Sequence, residues 1–303
     1  MIVLACISLL GLNLQGQEFE DFVRKYTGSN GQGFMQPLAN AFGANLNSGW
    51  YHSAYVRPKG FQLYVGLTAM SAPIPEKFRT FTATTEGSFS PEQTAQVPTI
   101  FGSSETVYVE GEGGTTYPFP GGLDLSNLPL AVPNLSIGSL YGTDASFRWA
   151  GYNVGDEVGK VSLLGFGLRH SLDQYLPLKP VHMAVGFYYH QFGVGDIVDA
   201  QGWLANIQAS YQWKFVTLFG GVGYENSTLD IQYTHEEDDS EISFDLTGDN
   251  NIRATFGLTF NLGALKIHSD YNLSSQSLFT LGLGVGINEM ERTGGPNYES
   301  ADL

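Results

Sequence analysis

From residue 49 onward, apolar side chains recur at every second position. Trp203, Ala205, Ile207, Ala209, Tyr211 and Trp213 share one face of an extended segment; Leu204, Asn206, Gln208, Ser210 and Gln212 share the other. Successive side chains of a strand point to opposite faces, so this segment has one apolar and one largely polar surface. The apolar face begins and ends in tryptophan. Its ten residue steps, at roughly 3.3 Å each and tilted by about 45°, rise roughly 23 Å, close to the ~25 Å apolar band of a membrane barrel. Phe61–Ala69, Val181–Tyr189, Ile252–Phe260 and Phe279–Ile287 alternate in the same way, and agreement among independent segments outweighs any one of them.

Eleven strands follow from this period: Gly49–Arg57, Phe61–Ser71, Ala131–Leu140, Thr143–Tyr152, Val158–Ser171, Val181–Gln191, Gln201–Trp213, Phe215–Thr234, Glu241–Leu262, Ala264–Tyr271 and Ser277–Ile287. Single-chain bacterial barrels have an even count, which places one more strand in Lys77–Thr84, after a turn at Pro73 and Pro75. The expected fold is all-β: an antiparallel transmembrane β-barrel of about 12 strands, within a range of 10–14. Both termini then lie on the periplasmic side. Lys214 and Gly263-Ala264 read as tight inner turns and the acidic run His235–Ser240 as an outer loop. Glu86–Leu130, rich in Gly, Pro, Thr and Ser, reads as one long outer loop, since strand interiors tolerate few prolines.

Ahead of the strands the period is helical. Phe19–Tyr26 and Phe34–Phe42 have helical character, separated by the Gly/Ser/Asn-rich Thr27–Gly33. Phe34, Leu38 and Phe42 form one apolar stripe. Residues 17–48 are therefore expected to form a short helical hatch, residues 49–288 the barrel, and residues 289–303 a flexible periplasmic tail. Met1–Gly16 reads as a secretory signal cleaved before Gln17; its missing basic n-region points to a true start upstream of Met1. Val3-Leu4-Ala5-Cys6 has lipoprotein character, but five residues are too few before such a cysteine.

Composition narrows the class further. Only 15% of residues are charged, against ~25% in soluble domains. No apolar run approaches the ~20 residues of a spanning helix. The net charge of −16 argues against nucleic acid as a partner, since phosphate contacts need a basic surface. Removal of the signal removes Cys6, the only cysteine, and with it disulfides and cysteine-ligated metal. The expected location is the bacterial outer membrane, with its lipid as the surrounding partner.

Several motifs carry a resemblance. Gln36-Pro37-Leu38, Asn45-Leu46-Asn47-Ser48-Gly49-Trp50, Pro133–Gly138, Gly165–Ser171 and Gly220–Ser227, in that order, resemble the fatty-acid-transporter (FadL-type) superfamily of outer-membrane barrels, and most nearly a small Gram-negative branch of it. The similarity spans about Glu18 to Ile287. It implies an N-terminal hatch that plugs the barrel and passage of hydrophobic substrates.

Strand parity places Arg148, Arg169, Arg253 and Lys266 toward the lumen, with Asp144, Glu225 and Asp270 on the same face. Arginine forks match carboxylate or phosphate headgroups, so the four cations, with Phe34, Leu38 and Phe42, form the candidate ligand site for an amphipathic molecule. The competing reading is an internal ion-pair network, because charges in a narrow barrel must be paired. Ten lumen-facing glycines, among them Gly165, Gly221 and Gly284, leave room for a docked hatch. Calcium at Glu236–Asp239 is outweighed by a solvated loop tip, and His182 and His190 are too far apart along one strand to share a metal. No catalytic, metal or cofactor motif stands out. The expected function is passage or retention of a small hydrophobic or amphipathic molecule by a non-enzymatic barrel. The alternative is a non-transporting barrel that is a subunit or adapter among other outer-membrane proteins.

Overall fold

The computed structural model describes residue 26 and residues 28–153, 160–176, 179–195, 197–234 and 241–289. Among the described residues one α-helix, α1 (Gly28–Leu46), precedes fifteen strands. Ten of them close an antiparallel barrel: β1 (Gln62–Pro73), β6 (Asn127–Leu140), β7 (Thr143–Asn153), β8 (Lys160–Ser171), β9 (Val181–Val194), β10 (Val198–Trp213), β11 (Val216–Thr234), β13 (Ile252–Leu262), β14 (Leu265–Leu273) and β15 (Leu278–Ile287). β1 joins β15 and β6 on its two sides, and β10 joins β11 to close the ring. Ile207, Leu218, Val222, Phe256, Leu281 and Leu283 are among the many large apolar side chains exposed on the outer face. Such an outward apolar band is the signature of a transmembrane β-barrel.

The barrel has ten strands rather than 12. Gly49–Arg57 is not a strand: it runs as an extended strap inside the lumen, where Trp50, Tyr51, His52, Ala54 and Val56 are buried. Lys77–Thr84 does not join the wall either. Its second half is β2 (Thr80–Thr84), paired with β3 (Thr94–Pro98), and a second small hairpin joins β4 (Val107–Glu110) to β5 (Thr116–Phe119). The expected outer loop Glu86–Leu130 is thus an ordered insertion over residues 74–126, and Leu128 and Leu130 already belong to the wall. Glu241–Leu262 splits into β12 (Glu241–Thr247), which pairs with the upper part of β11, and β13, which pairs with its lower part. Thr247-Gly248-Asp249-Asn250-Asn251, a run of turn-forming residues, divides them; apolar residues at even positions on both sides of it let the two read as one.

Tight turns at Tyr141-Gly142, Lys214-Phe215 and Gly263-Ala264 lie on one rim, together with the start of β1 and the end of β15. The opposite rim carries the insertion. α1 begins there. Tyr26 packs on Phe34, Phe81 and Phe119 and donates from its hydroxyl to the Pro120 carbonyl (3.0 Å). Asn30 bonds the Thr84 carbonyl (2.7 Å). The chain therefore descends through the whole barrel before β1 starts, and Tyr26 lies on the rim opposite the end of β15. The two termini themselves lie outside the described residues; within those described, an even strand count fixes only the ends of the wall, not the start of a plug threaded through it.

α1 is a poor helix on propensity, with four glycines and Pro37. Tertiary packing makes it. A side chain at Gly31, Gly33 or Gly43 would collide with Phe244, Phe81 or Ser227, so the glycines that read as a break over Thr27–Gly33 let the helix touch its surroundings. The expected helix at Phe19–Tyr26, the signal, residues 235–240 and the tail from 290 lie outside the described residues. Glu289, the first residue of that expected tail, is buried and paired with His52 (3.2 Å).

Candidate functional site

Parity put four cations in the lumen, and each is buried there. Arg148 donates to the Leu46 carbonyl (3.1 Å), the Ser48 carbonyl (2.7 Å) and Asn134 (2.6 Å), and lies over the Trp50 ring (3.8 Å). Arg253 forks onto Glu225 (3.0 and 3.1 Å) and donates to the Ala44 carbonyl (3.0 Å) and the Ser48 hydroxyl. Arg169 pairs bidentately with Asp144 and donates to the Ser53 carbonyl (2.5 Å). Lys266 donates to Asn261 (2.9 Å).

Two of these arginines sit at the C-terminal end of α1. A helix leaves its last carbonyls unsatisfied and carries partial negative charge there. Arg148 and Arg253 supply N–H donors and positive charge at that point, so two wall strands cap a helix that has no basic residue in its own last turn. Ser48 and Trp50 complete the cap, donating to the Ala44 carbonyl (2.6 Å) and the Leu46 carbonyl (3.2 Å). Below it, Ser210 receives the Ala54 amide (3.0 Å) and Thr259 donates to the His52 carbonyl (2.6 Å). We call this set the lock.

The lock consumes the groups that a headgroup would need. Arg148, Arg169 and Arg253 do meet around the plug, but on its backbone. Phe34, Leu38 and Phe42 do not join them. Phe34 packs on Tyr26, and Phe42 meets Phe192 (4.7 Å between centroids) higher on the wall. The Phe34 and Ala44 levels differ by about 15 Å at ~1.5 Å per residue. Among the described residues the cations and the apolar stripe of α1 thus have separate partners. The void bordered by Trp50, His52, Tyr64, Arg169 and His268 measures about 10 Å³, room for a single water.

Most lumen glycines serve the wall itself. Side chains at Gly66 and Gly284 would strike Tyr64, and those at Gly167 and Gly186 would strike Tyr188. Only some face the plug, as Gly165 faces Trp50 and Gly221 faces Tyr51. Sequence reasoning missed Asn134, Trp50, His52 and Glu289. Parity could have found Asn134; the strap's period of two read as a wall strand and so hid its place inside the lumen. Away from the membrane-spanning strands, burial raises the Tyr26 phenol above its ordinary range.

The sequence matches the family described as "Family of unknown function (DUF6588)" over residues 1–287, and the chain belongs to that family. No curated protein matches it. Among solved structures it is similar to OmpTdeltaL8, a loop L8 deletion mutant of the Vibrio cholerae outer membrane protein OmpT. The two are 10% identical with a TM-score of 0.28, covering 75% of this chain and 99% of that one. It is similar to the translocator domain of the autotransporter NalP from Neisseria meningitidis, at 12% identity and TM-score 0.26, over 76% and 88% of the two chains. It is also similar to the P. putida toluene transporter TodX, at 12% identity and TM-score 0.25, over 88% and 73%. Likenesses this distant say nothing of activity, and the site must speak for itself.

Proposed function

We propose that this protein is a plugged, non-conducting barrel of the bacterial outer membrane, acting as a subunit or adapter among other outer-membrane proteins. One observation carries the reading: every lumen arginine that could take an anionic headgroup is already spent on a carboxylate, a side-chain amide or a plug carbonyl. Releasing the plug would keep the wall pairs Arg169–Asp144 and Arg253–Glu225 but break the arginine bonds to the Ala44, Leu46, Ser48 and Ser53 carbonyls, at a cost of roughly 1.5–3 kcal/mol for each charged hydrogen bond left unmade. Passage of a small amphipathic molecule through the lumen needs that release at each event. The finer likeness to fatty-acid transporters therefore supplies an ancestry for the hatch rather than a mechanism. The proposal includes no catalytic step.

Planar-bilayer recording of the purified barrel is expected to give no steady conductance. Palmitate binding is expected to be absent, and so indifferent to Arg169→Ala and Arg253→Ala. Steady channel steps, or palmitate binding abolished by either change, would restore the transport reading.

A further inference from the structure

The barrel wall has a seam. β6 and β7 pair only from Leu140↔Thr143 to Asn134↔Arg148. Beyond that point β6 stays bonded to β1 as far as Asn127, and β7 stays bonded to β8 as far as Asn153. The upper edges of β6 and β7 thus face each other without a ladder. Pro129 and Pro133 lie on the β6 edge, opposite Ser71 and Leu67 of β1. Proline has no N–H for a ladder and is confined to edges, so with β1 bonded throughout, both ring nitrogens face the seam.

A notch of about 560 Å³ opens beside this seam, bordered by Trp149, Ala150, Gly151, Lys160, Ser162 and Leu163. Its outer face grades along the strands. Phe147, Trp149, Leu164 and Phe166 are exposed and apolar; Gly151 and Ser162 stand opposite each other above them, and Lys160 follows at the top. Ser162 also stands opposite Gly193 of β9, so small residues continue across the wall beside the notch. Among the described residues Lys160 has no ion-pair partner.

We propose that this notch binds one phosphate-bearing membrane lipid, with an acyl chain along Trp149 and Gly151 and the phosphate on Lys160. The occupant follows from position and shape. The lower end of the notch, at Trp149, adjoins the outward apolar band, and Gly151 and Ser162 above it reach the register of Asp199, so the notch lies where lipid tails give way to headgroups. Its volume lies within the ~300–1,000 Å³ of ligand sites. An apolar trough topped by a single cation fits one amphipathic anion. An open sheet edge does not persist against hydrocarbon because its polar groups go unsatisfied; a seated lipid headgroup, with its oxygens and bound water, supplies partners at the upper edge. Ala150 and Leu163 face inward onto the core, whereas Trp149, Gly151, Ser162 and Lys160, which would touch the lipid, are on the outward-facing positions of the two strands, so the site is independent of whether the lumen conducts.

The test uses the full-length barrel in mild detergent, titrated with phosphatidylglycerol or phosphatidylcholine of matched chains and read by native mass spectrometry. One phosphatidylglycerol per barrel is expected, held more tightly than phosphatidylcholine. A Cβ at Gly151 meets only the Val161 carbonyl oxygen, at 3.8 Å, so Gly151→Leu fills the notch without disturbing the fold and weakens the adduct at least about tenfold, the loss of one good contact set. Lys160→Gln removes the preference between the two headgroups, while Ile207→Leu, elsewhere on the lipid face, changes neither. Several lipids bound without headgroup preference, and unaffected by Gly151→Leu and Lys160→Gln, would overturn the site.

Discussion

The plug meets two different surroundings. Around the first turns of α1, in a collar above the apolar band, Phe34, Met35, Ile100, Phe119, Ile231 and Phe244 make an ordinary apolar core. Around the end of α1 and the strap, the surroundings are Arg148, Arg169, Arg253, Asp144 and Glu225. β11 shows the change within one continuous strand. In its lower part Leu218, Val222 and Tyr224 face outward and Thr217, Glu225 and Ser227 are buried inward. In its upper part Leu229 and Ile231 are buried inward and Asp230 faces outward. Asp230 stands level with Asp199 of β10 and Asp245 of β12, a row of carboxylates that only water can clothe. The side of the wall that takes the apolar residues is the side away from the polar phase. Where lipid lies outside, the lumen is left with polar groups and must satisfy each one; where water lies outside, burial alone holds the plug.

The sharpest break of that contrast is Arg253→Ala. It strands Glu225 and removes one of the two donors to the Ala44 carbonyl, so the folded barrel should lose about 3–5 kcal/mol, read as a lower urea midpoint in vesicles. Arg253→Ala with Glu225→Gln should recover a substantial part, since the stranded charge is gone. A single variant as stable as the parent would mean that the lock is ornamental.

The boundary itself can be probed from outside. Ile207→Arg places a charge on the lipid face and should cost roughly 2–4 kcal/mol. Ser243→Arg, on the exposed outer face of β12, should cost nearly nothing. Equal assembly yields for the two would erase the distinction between collar and membrane zone.

These regions were unequally legible. Ten wall strands and the inward placement of all four cations followed from parity, because a period of two leaves no freedom once one face is assigned. The partners of those cations did not follow. They are largely plug carbonyls, and backbone atoms leave no mark in a sequence. The glycines of α1 read as a break because propensity is a local signal, whereas their use lies in contact with Phe244 and Phe81. The insertion over 74–126 read as a wall strand at Lys77–Thr84 and a loose loop from Glu86 for a related reason: the strands of its hairpins are only four and five residues long, below the length at which alternation is persuasive. The inversion along β11 was present in the residues, but a single-face reading of Phe215–Thr234 passes over it.

A milder change sharpens the collar. Ile231, fully buried at the top of β11, should cost about 1 kcal/mol on substitution to valine, while accessibility of the lock, followed by proteolysis within the strap, stays as in the parent. Loss of the strap's protection would join the two regions into one cooperative unit.

The smallest expected effect on stability is none, and it tests how the two regions are oriented. Tyr26 is held at the collar by Pro120, Phe81 and Phe119, and the wall ends on the opposite rim. An epitope placed just before Tyr26 should therefore be reached on one side of the membrane, and an epitope placed after Glu289 on the other. Longer loops mark the outer side of bacterial barrels and short turns the periplasmic side, so the first tag should be labelled by antibody on intact cells and the second only after permeabilisation. Neither tag touches the lock or the collar core, so unfolding midpoints should not move. Both tags reached on the same side would mean that the plug turns back inside the barrel, and the contrast between an outer collar and an inner lock would lose its axis.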